Sequence, residues 1–363
     1  MKKKRIIALI IAGILILTNA SCSKKAETTS EVTEALEKTS VTDESQSVAA
    51  GESDKPVDAE TTTAVTTSAV TEKSTAVKST VAKSTAPKTV IRDTIEWKWN
   101  QNGAKDLSYI KLDRSLEGER ARLSGDDQKT YDEWLEKALR FEVFYLHPSS
   151  QKELDHIYKI KDAMFGDYPE LRLYVSTDEA DENGFRFDYS YNWINCEEFS
   201  ADFIVKYIGR IENVCQSILG KMKKRVPAAE KYEFILGELC RRTTYLDKTD
   251  EELQEEGINF DYAYCYLNGP LLDGEGLCQA YAYAYQLLCQ REGLWCVCDS
   301  GGVHCWNQVM LDNGLTYGVD PTWCDADYSD KGYDTDSFLL TQKELEDTHD
   351  TKGTHWVATG TPL

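Results

Sequence analysis

No aromatic residue precedes Trp97; all 8 Trp, 20 Tyr and 10 Phe stand at or after it. A segment so poor in large apolar groups cannot bury enough surface to offset the entropy of its own ordering. This excludes a folded domain in the early part of the chain. Long apolar runs are missing too. Ile6 to Leu17 falls short of the roughly 20 residues that cross a hydrocarbon layer. Histidine is scarce: His147, His156, His304, His349 and His355 are all there are. Any imidazole chemistry must come from those five. Positive charge is also short, with Lys+Arg 41 against Asp+Glu 62 and a net charge of −21. That balance argues against nucleic acid or an anionic membrane surface as a partner.

What is present at the start is an address. Lys2, Lys3, Lys4 and Arg5 precede the short apolar run, the pattern of a secretory signal over residues 1–21. The segment T-N-A-S-C puts Cys22 where a bacterial lipoprotein is cleaved and acylated. Asn19 stands where leucine is usual, and ordinary cleavage after Ala20 is the alternative. The expectation is an exported protein of the cell envelope, held to the outer face of the cytoplasmic membrane only through a lipid anchor at Cys22. Residues 22–92, rich in Thr, Ser, Ala, Glu and Lys, read as a disordered stalk. The remainder is long enough for a sizeable core. It divides into a mainly helical lobe over 93–225 and a second domain over 226–363. The chain has 11 Cys. In an exported chain they allow disulfides. Several, such as Cys215, Cys240 and Cys289, lie in helix-like apolar patterns where a thiol is a small hydrophobe. No pair is named.

Periodicity supplies the elements. Ser124 caps a helix through Tyr131, Trp134, Leu135, Ala138 and Leu139. Leu154, Ile157, Tyr158, Lys161 and Phe165 stripe a second, stopped by Gly166 and Pro169. Phe185, Phe187, Tyr189 and Tyr191 alternate as a strand. Further helices cover 196–222 and the stretch after Pro227. Leu277 to Gln290 keeps a helical face despite the Tyr-Ala alternation of G-E-G-L-C-Q-A-Y-A-Y-A-Y. Tyr281 then faces inward, and Tyr283 and Tyr285 fall toward cleft or solvent. Strands over 294–299, 304–311 and 315–320 follow, the last two joined by Asp312-Asn313-Gly314. The fold class is therefore α+β with an antiparallel sheet.

The chemistry centres on Cys278. It lies in the first turn of its helix, where backbone N–H groups and the helix dipole favour a thiolate and offer donors to an oxyanion. A nucleophile needs a base, and the base needs an orienting acceptor. If Asp312-Asn313-Gly314 is a three-residue loop, Leu311 pairs with Leu315. His304 then lies opposite Thr322, with Asp320 its diagonal neighbour on the same face. Zinc on Cys296, Cys298, His304 and Cys305 is disfavoured, because 304 and 305 point to opposite faces. No metal and no cofactor is expected. Trp306 and Trp323 read as core or cleft walls, Asp325 and Asp327 as a solvated loop, and His349 and His355 as structural or surface.

G-x-G-L-C-Q-A-Y-A at 274–282, H-C-W-N at 304–307 and Y-G-V-D-P-T-W at 317–323 occur in this order. They resemble the bacterial transglutaminase-like superfamily, whose fold relates to papain-like cysteine proteases. The resemblance covers about 230–345. It includes Tyr245-Leu246-Asp247, and Ser337-Phe338-Leu339 followed by His349 near the end, and Asp167-Tyr168-Pro169-Glu170 looks like a segment that often precedes such domains. Ala280 replaces the usual glycine and Cys305 the usual alanine. The resemblance implies a papain/transglutaminase-like core, a Cys-bearing helix packed on an antiparallel sheet. It also implies a triad: Cys278 nucleophile, His304 base and acid, Asp320 orienter. The implied activity is acyl chemistry on peptide or glutamine amides of a protein or peptide substrate, hydrolysis before cross-linking. The oxyanion would use the Cys278 N–H and an upstream donor, with Tyr264, Tyr266 and Asn268 in reach. The alternative is a catalytically inert surface module that binds peptides or cell-wall components.

Overall fold

The computed structural model describes residues 103–181, 184–189, 200–223, 225–248, 252, 266–326 and 329–363. The expected leader, Cys22 and the stalk lie outside the described residues, as do Tyr191, Tyr264, Asp327 and the start of the helix expected at 196.

Capping chemistry sets the first helices. Ser124 accepts from the Asp127 N–H, and α1 runs Gly125–Leu139. Ser150 caps α2, Gln151–Asp167, in the same way. Asp126 and Asp127, or Glu153, occupy the first turns, where the positive end of the dipole favours them. The region holds more sheet than the alternation around Phe187 announces. β1 (Phe144–Leu146), β2 (Val175–Asp181) and β3 (Gly184–Tyr189) form an antiparallel sheet with β3 central. β1 is only three residues long and β2 ends in acidic residues, so neither shows period two. Phe144, Phe187 and Trp134 then pack as an aromatic cluster against α1.

α3 (Ala201–Leu219) and α4 (Ala228–Cys240) follow. The core is continuous, running from Leu107 to Cys324. Its axis is α5, Cys278–Arg291, in which every residue except Gln279 is buried. Buried polar side chains on α5 each find a partner for at least one donor, from Gln286 to Arg291. Gln286 and Gln290 donate to the carbonyls of Gly166 and Asp167. Arg291 donates to Glu212 and Glu170. The expected segment at 167–170 thus has a mechanical role. Asp167 accepts from the Glu119 and Arg120 amides and from the Tyr131 hydroxyl, and Glu170 pairs with the end of α5. This packing corrects the expectation for Tyr285; Tyr283, though buried from bulk solvent, lines a cavity as the cleft reading expected. Both are buried, Tyr285 donating to the Tyr232 carbonyl, because a helix wrapped on all sides has no solvent face.

The C-terminal sheet is antiparallel in the order β6 (Cys296–Gly301), β7 (His304–Met310), β8 (Thr316–Val319), β9 (Phe338–Leu340). The hairpin loop has three residues: Leu311 donates to the Leu315 carbonyl and Gly314 has φ +78°. Met310 pairs with Thr316 and Asn307 with Val319. Asn307 donates to the carbonyls of Ala282 and Val297, tying α5 to the sheet. A fold of α+β class with antiparallel sheets is what the sequence implies.

Candidate active site

Three turns of chain bring the site together. Gly274, at φ +82°, closes the turn of Gly269–Asp273 and sends the chain through β5 (Glu275–Gly276) into α5. β5 pairs in parallel with β4 (Thr244–Tyr245). A Cβ on Gly276 would meet Ala280 and Pro270 at 3.0 Å, so only glycine lets the approach pack this closely. Leu277 caps α5 with no side-chain acceptor. Among the described residues, no side-chain cap therefore occupies the first-turn amides at Cys278.

His304 begins β7 opposite Gly301. The β7–β8 register holds to Asn307 and Val319 and then ends, because Asp320 leaves the strand to cap α6, Pro321–Cys324. Thr322 consequently does not reach the place opposite His304 that the register extrapolates. Asp320 still does. His304 Nε2 lies 2.7 Å from Asp320 Oδ2. The other oxygen, Oδ1, accepts from the Thr322 and Trp323 amides at 2.9 and 3.1 Å. With Nε2 so engaged, Nδ1 is the nitrogen left for the thiol. Cys278 lies close enough to the His304 ring and to Cys305 for both to bear on the ionisation of its thiol. Cys278, His304 and Asp320 therefore come together, all buried.

The electrostatics of the three are coupled. Burial alone would lower the His304 pKa, but the Asp320 carboxylate overrides it and raises it to about 10. Burial likewise opposes ionisation of Asp320, yet His304 and His349 hold it down at about 2. The Cys278 thiol is pushed up, first by its contact with Cys305 and then by burial, with His304 opposing. This corrects the expectation of an acidic thiol: the dipole of a helix start is outweighed by a neighbouring thiol and the loss of water. The imidazole is thus a strong base beside a reluctant acid.

His349, expected to be structural or surface, has a structural place beside the three, although its contact with Asp320 was not foreseen. It is buried, not at the surface, with Nε2 3.2 Å from Asp320 Oδ2. Its ring stacks on Trp323 at 4.2 Å, and Trp323 also stacks on His304 at 5.0 Å. The contact spans 29 residues, so no local spacing announces it. The available signal was the capping box Thr341/Glu344, which starts α7 (Gln342–Thr348) and leaves His349 at its end. Among the described residues, His304, Asp320 and His349 form the group whose donor atoms lie within 4.8 Å. Four donors already fill the four lone-pair sites that a carboxylate offers.

The other expectations fare variously. Asp325 is not a solvated loop residue: its Oδ2 accepts from the Tyr281 hydroxyl at 2.5 Å. Cys296 is buried in β6 and Cys298 half-buried, each opposite a residue other than Cys305. Among the described residues no cysteine forms a disulfide. The Asn268 amide is in contact with Tyr207 and Asp273, away from the role of oxyanion donor. Tyr266 packs against the core. His355 is exposed; its backbone N–H donates to Asp299. His147 and His156 are exposed as well.

No family model matches the chain, and no curated protein matches it. The chain is similar to a solved structure described as a TGase, at 12% identity and a TM-score of 0.28, over 53% of this chain and 55% of that one. A likeness at that score carries no argument, so the functional reading rests on the side chains.

Proposed function

We propose that this protein is an exported, transglutaminase-like cysteine enzyme acting on peptide or glutamine amides. The observation that carries the reading is the chain of contacts from the Cys278 thiol through the His304 imidazole to the Asp320 carboxylate. In this reading the neutral form of His304, the minor form below its raised pKa of about 10, accepts the thiol proton as sulfur attacks the carbonyl carbon. The negative charge that develops on the carbonyl oxygen meets the first-turn amides of α5. The imidazolium, held by Asp320, then gives its proton to the departing amine. A thioester on Cys278 remains. Water attacks it with His304 as base, and the acid product leaves with the thiol restored. A primary amine in place of water gives transfer.

Hydrolysis is the favoured outcome. The sequence also supports delivery to the envelope, with a stalk holding the enzyme away from a lipid anchor at Cys22. Two experiments test the reaction. A cysteine-directed probe should label Cys278 faster than any other thiol, and His304→Ala should abolish that preference. Equal labelling of all thiols removes the main support. A glutamine donor with a labelled primary amine separates the outcomes: ammonia release without incorporation is expected, and efficient incorporation contradicts the hydrolase assignment.

A further inference from the structure

A cavity of 510 Å³ opens beside the nucleophile, and its lining includes Gln279, Tyr283 and Cys305. Cys305 touches the Cys278 thiol, so the cavity and the reacting sulfur are one side chain apart. Gln279 donates to the Tyr283 hydroxyl, and these two form a continuous wall along α5. At the far end the Arg172 guanidinium sits over the Tyr283 ring at 5.0 Å and the Phe165 ring at 5.2 Å. Stacking of this kind fixes the plane of the fork without using its N–H groups.

The charged groups around this cavity are matched except for Arg172 and one oxygen, Oδ2, of Asp299. Arg122 pairs with Glu119, Lys159 with Asp127 and Asp162 with Lys161. Asp299 accepts from the backbone amides of Ser300 and His355. Arg172, half-buried, has no ion pair or hydrogen bond among the described residues, and its Nε is buried without a partner. Carboxylates outnumber cations 62 to 41 in this chain, yet none is aimed at it. A half-buried, oriented and unpaired guanidinium is a costly feature unless something else supplies the anion.

We propose that this cavity is a substrate subsite in which Arg172 binds a carboxylate carried by the peptide. The proposal rests on the reading of Cys278 as nucleophile and deepens it by naming the substrate class. The distance follows from α5. Cys278 and Tyr283 are five positions apart, about 7.5 Å along a helix axis. An extended peptide covers about 3.3 Å per residue. Five positions also turn the helix by about 140°, so this rise is a minimum and the carboxylate lies at least two to three residues from the scissile amide. An acidic side chain and a free C-terminal carboxylate share this chemistry, and the test separates them.

The test uses the full chain and a set of short peptides. One arm has amidated ends and places Glu, or its neutral isostere Gln, at each position up to six residues from the scissile amide. The other arm has neutral side chains and a free C-terminus at the same distances. Mass spectrometry gives kcat/KM for wild type, Arg172→Gln and Arg172→Lys. Arg172→Gln keeps a planar group over Tyr283, and a thermal melt verifies its folding. We expect one position to favour the carboxylate by about tenfold, near 1.4 kcal/mol. Arg172→Gln should bring that ratio to about one, and Arg172→Lys should retain part of it. A ratio that is one throughout, or that survives Arg172→Gln, overturns the subsite. If wild type turns over none of the peptides, the reaction reading fails. Fluorescence-polarisation binding of the same peptides then decides the subsite by itself. Carboxylate-dependent binding lost in Arg172→Gln sustains it, and equal binding of all peptides refutes it.

Discussion

His304 and His349 approach the same oxygen: Nε2 of each lies 2.7 and 3.2 Å, respectively, from Oδ2 of Asp320. With the two amides on Oδ1, the carboxylate is held by four donors and cannot rotate. His349 is a positioning residue in this arrangement, acting on His304 through Asp320. Replacing it with Gln, which cannot stack on Trp323, should lower kcat by about tenfold with KM little changed, the scale of one hydrogen bond to a charged group. The alkaline limb of the pH–rate profile should also move up, because His304 no longer shares Oδ2. A profile identical to wild type would show that His349 serves packing alone.

Cys305 is the first cause of the raised Cys278 pKa. Cys305→Ala removes it. Alkylation of Cys278 by iodoacetamide should then reach half its maximal rate at a lower pH than in wild type. Asp320→Asn should act in the opposite direction, since the imidazolium that favours the thiolate is weakened. Rates against pH for the two variants check both signs; coincident curves for Cys305→Ala and wild type would contradict the first.

The His304–Asp320 pair also makes a stability prediction. His304 is raised to about 10 in the folded chain from about 6.5 when unfolded. Its stabilisation is complete below pH 6.5 and lost as pH rises toward 10. Asp320, held at about 2 against about 3.9 unfolded, loses its share as pH falls from about 4 toward 2. Urea unfolding of wild type and His304→Ala should differ most between about pH 4 and 6.5. A difference independent of pH would contradict the pairing.

Arg291 faces Glu212 and Glu170 with no solvent access. Arg291→Met leaves two buried carboxylates sharing no cation. The expected loss is about 3–5 kcal/mol, read from chemical denaturation. A variant as stable as wild type would show that the acids simply take up protons.

Much of the site was legible because its determinants are local. The three-residue loop at Asp312–Gly314 sets the register, and the register sets the facing of His304 toward Asp320. Cys278 could be placed because Gly274 and Gly276 precede a helix whose period holds to Gln290. What was not legible depends on distant packing. His349 reaches Asp320 from another element, and Arg172 reaches Tyr283 across more than a hundred residues. The acidity of Cys278 was misjudged for the same reason: the helix dipole is local, while Cys305 and burial are tertiary. β1 was missed because three residues carry no alternation, and β2 because its polar, acidic run masks it.

The most direct test is to look for the acyl-enzyme. The protein is mixed with an activated peptide ester and quenched in acid within milliseconds to seconds, and its intact mass is recorded. The account predicts one added acyl group, mapped to Cys278 by digestion, that decays as the acid product appears. Cys278→Ala and His304→Ala should show none. Turnover without an adduct on Cys278, or an adduct that persists unchanged in His304→Ala, would contradict it.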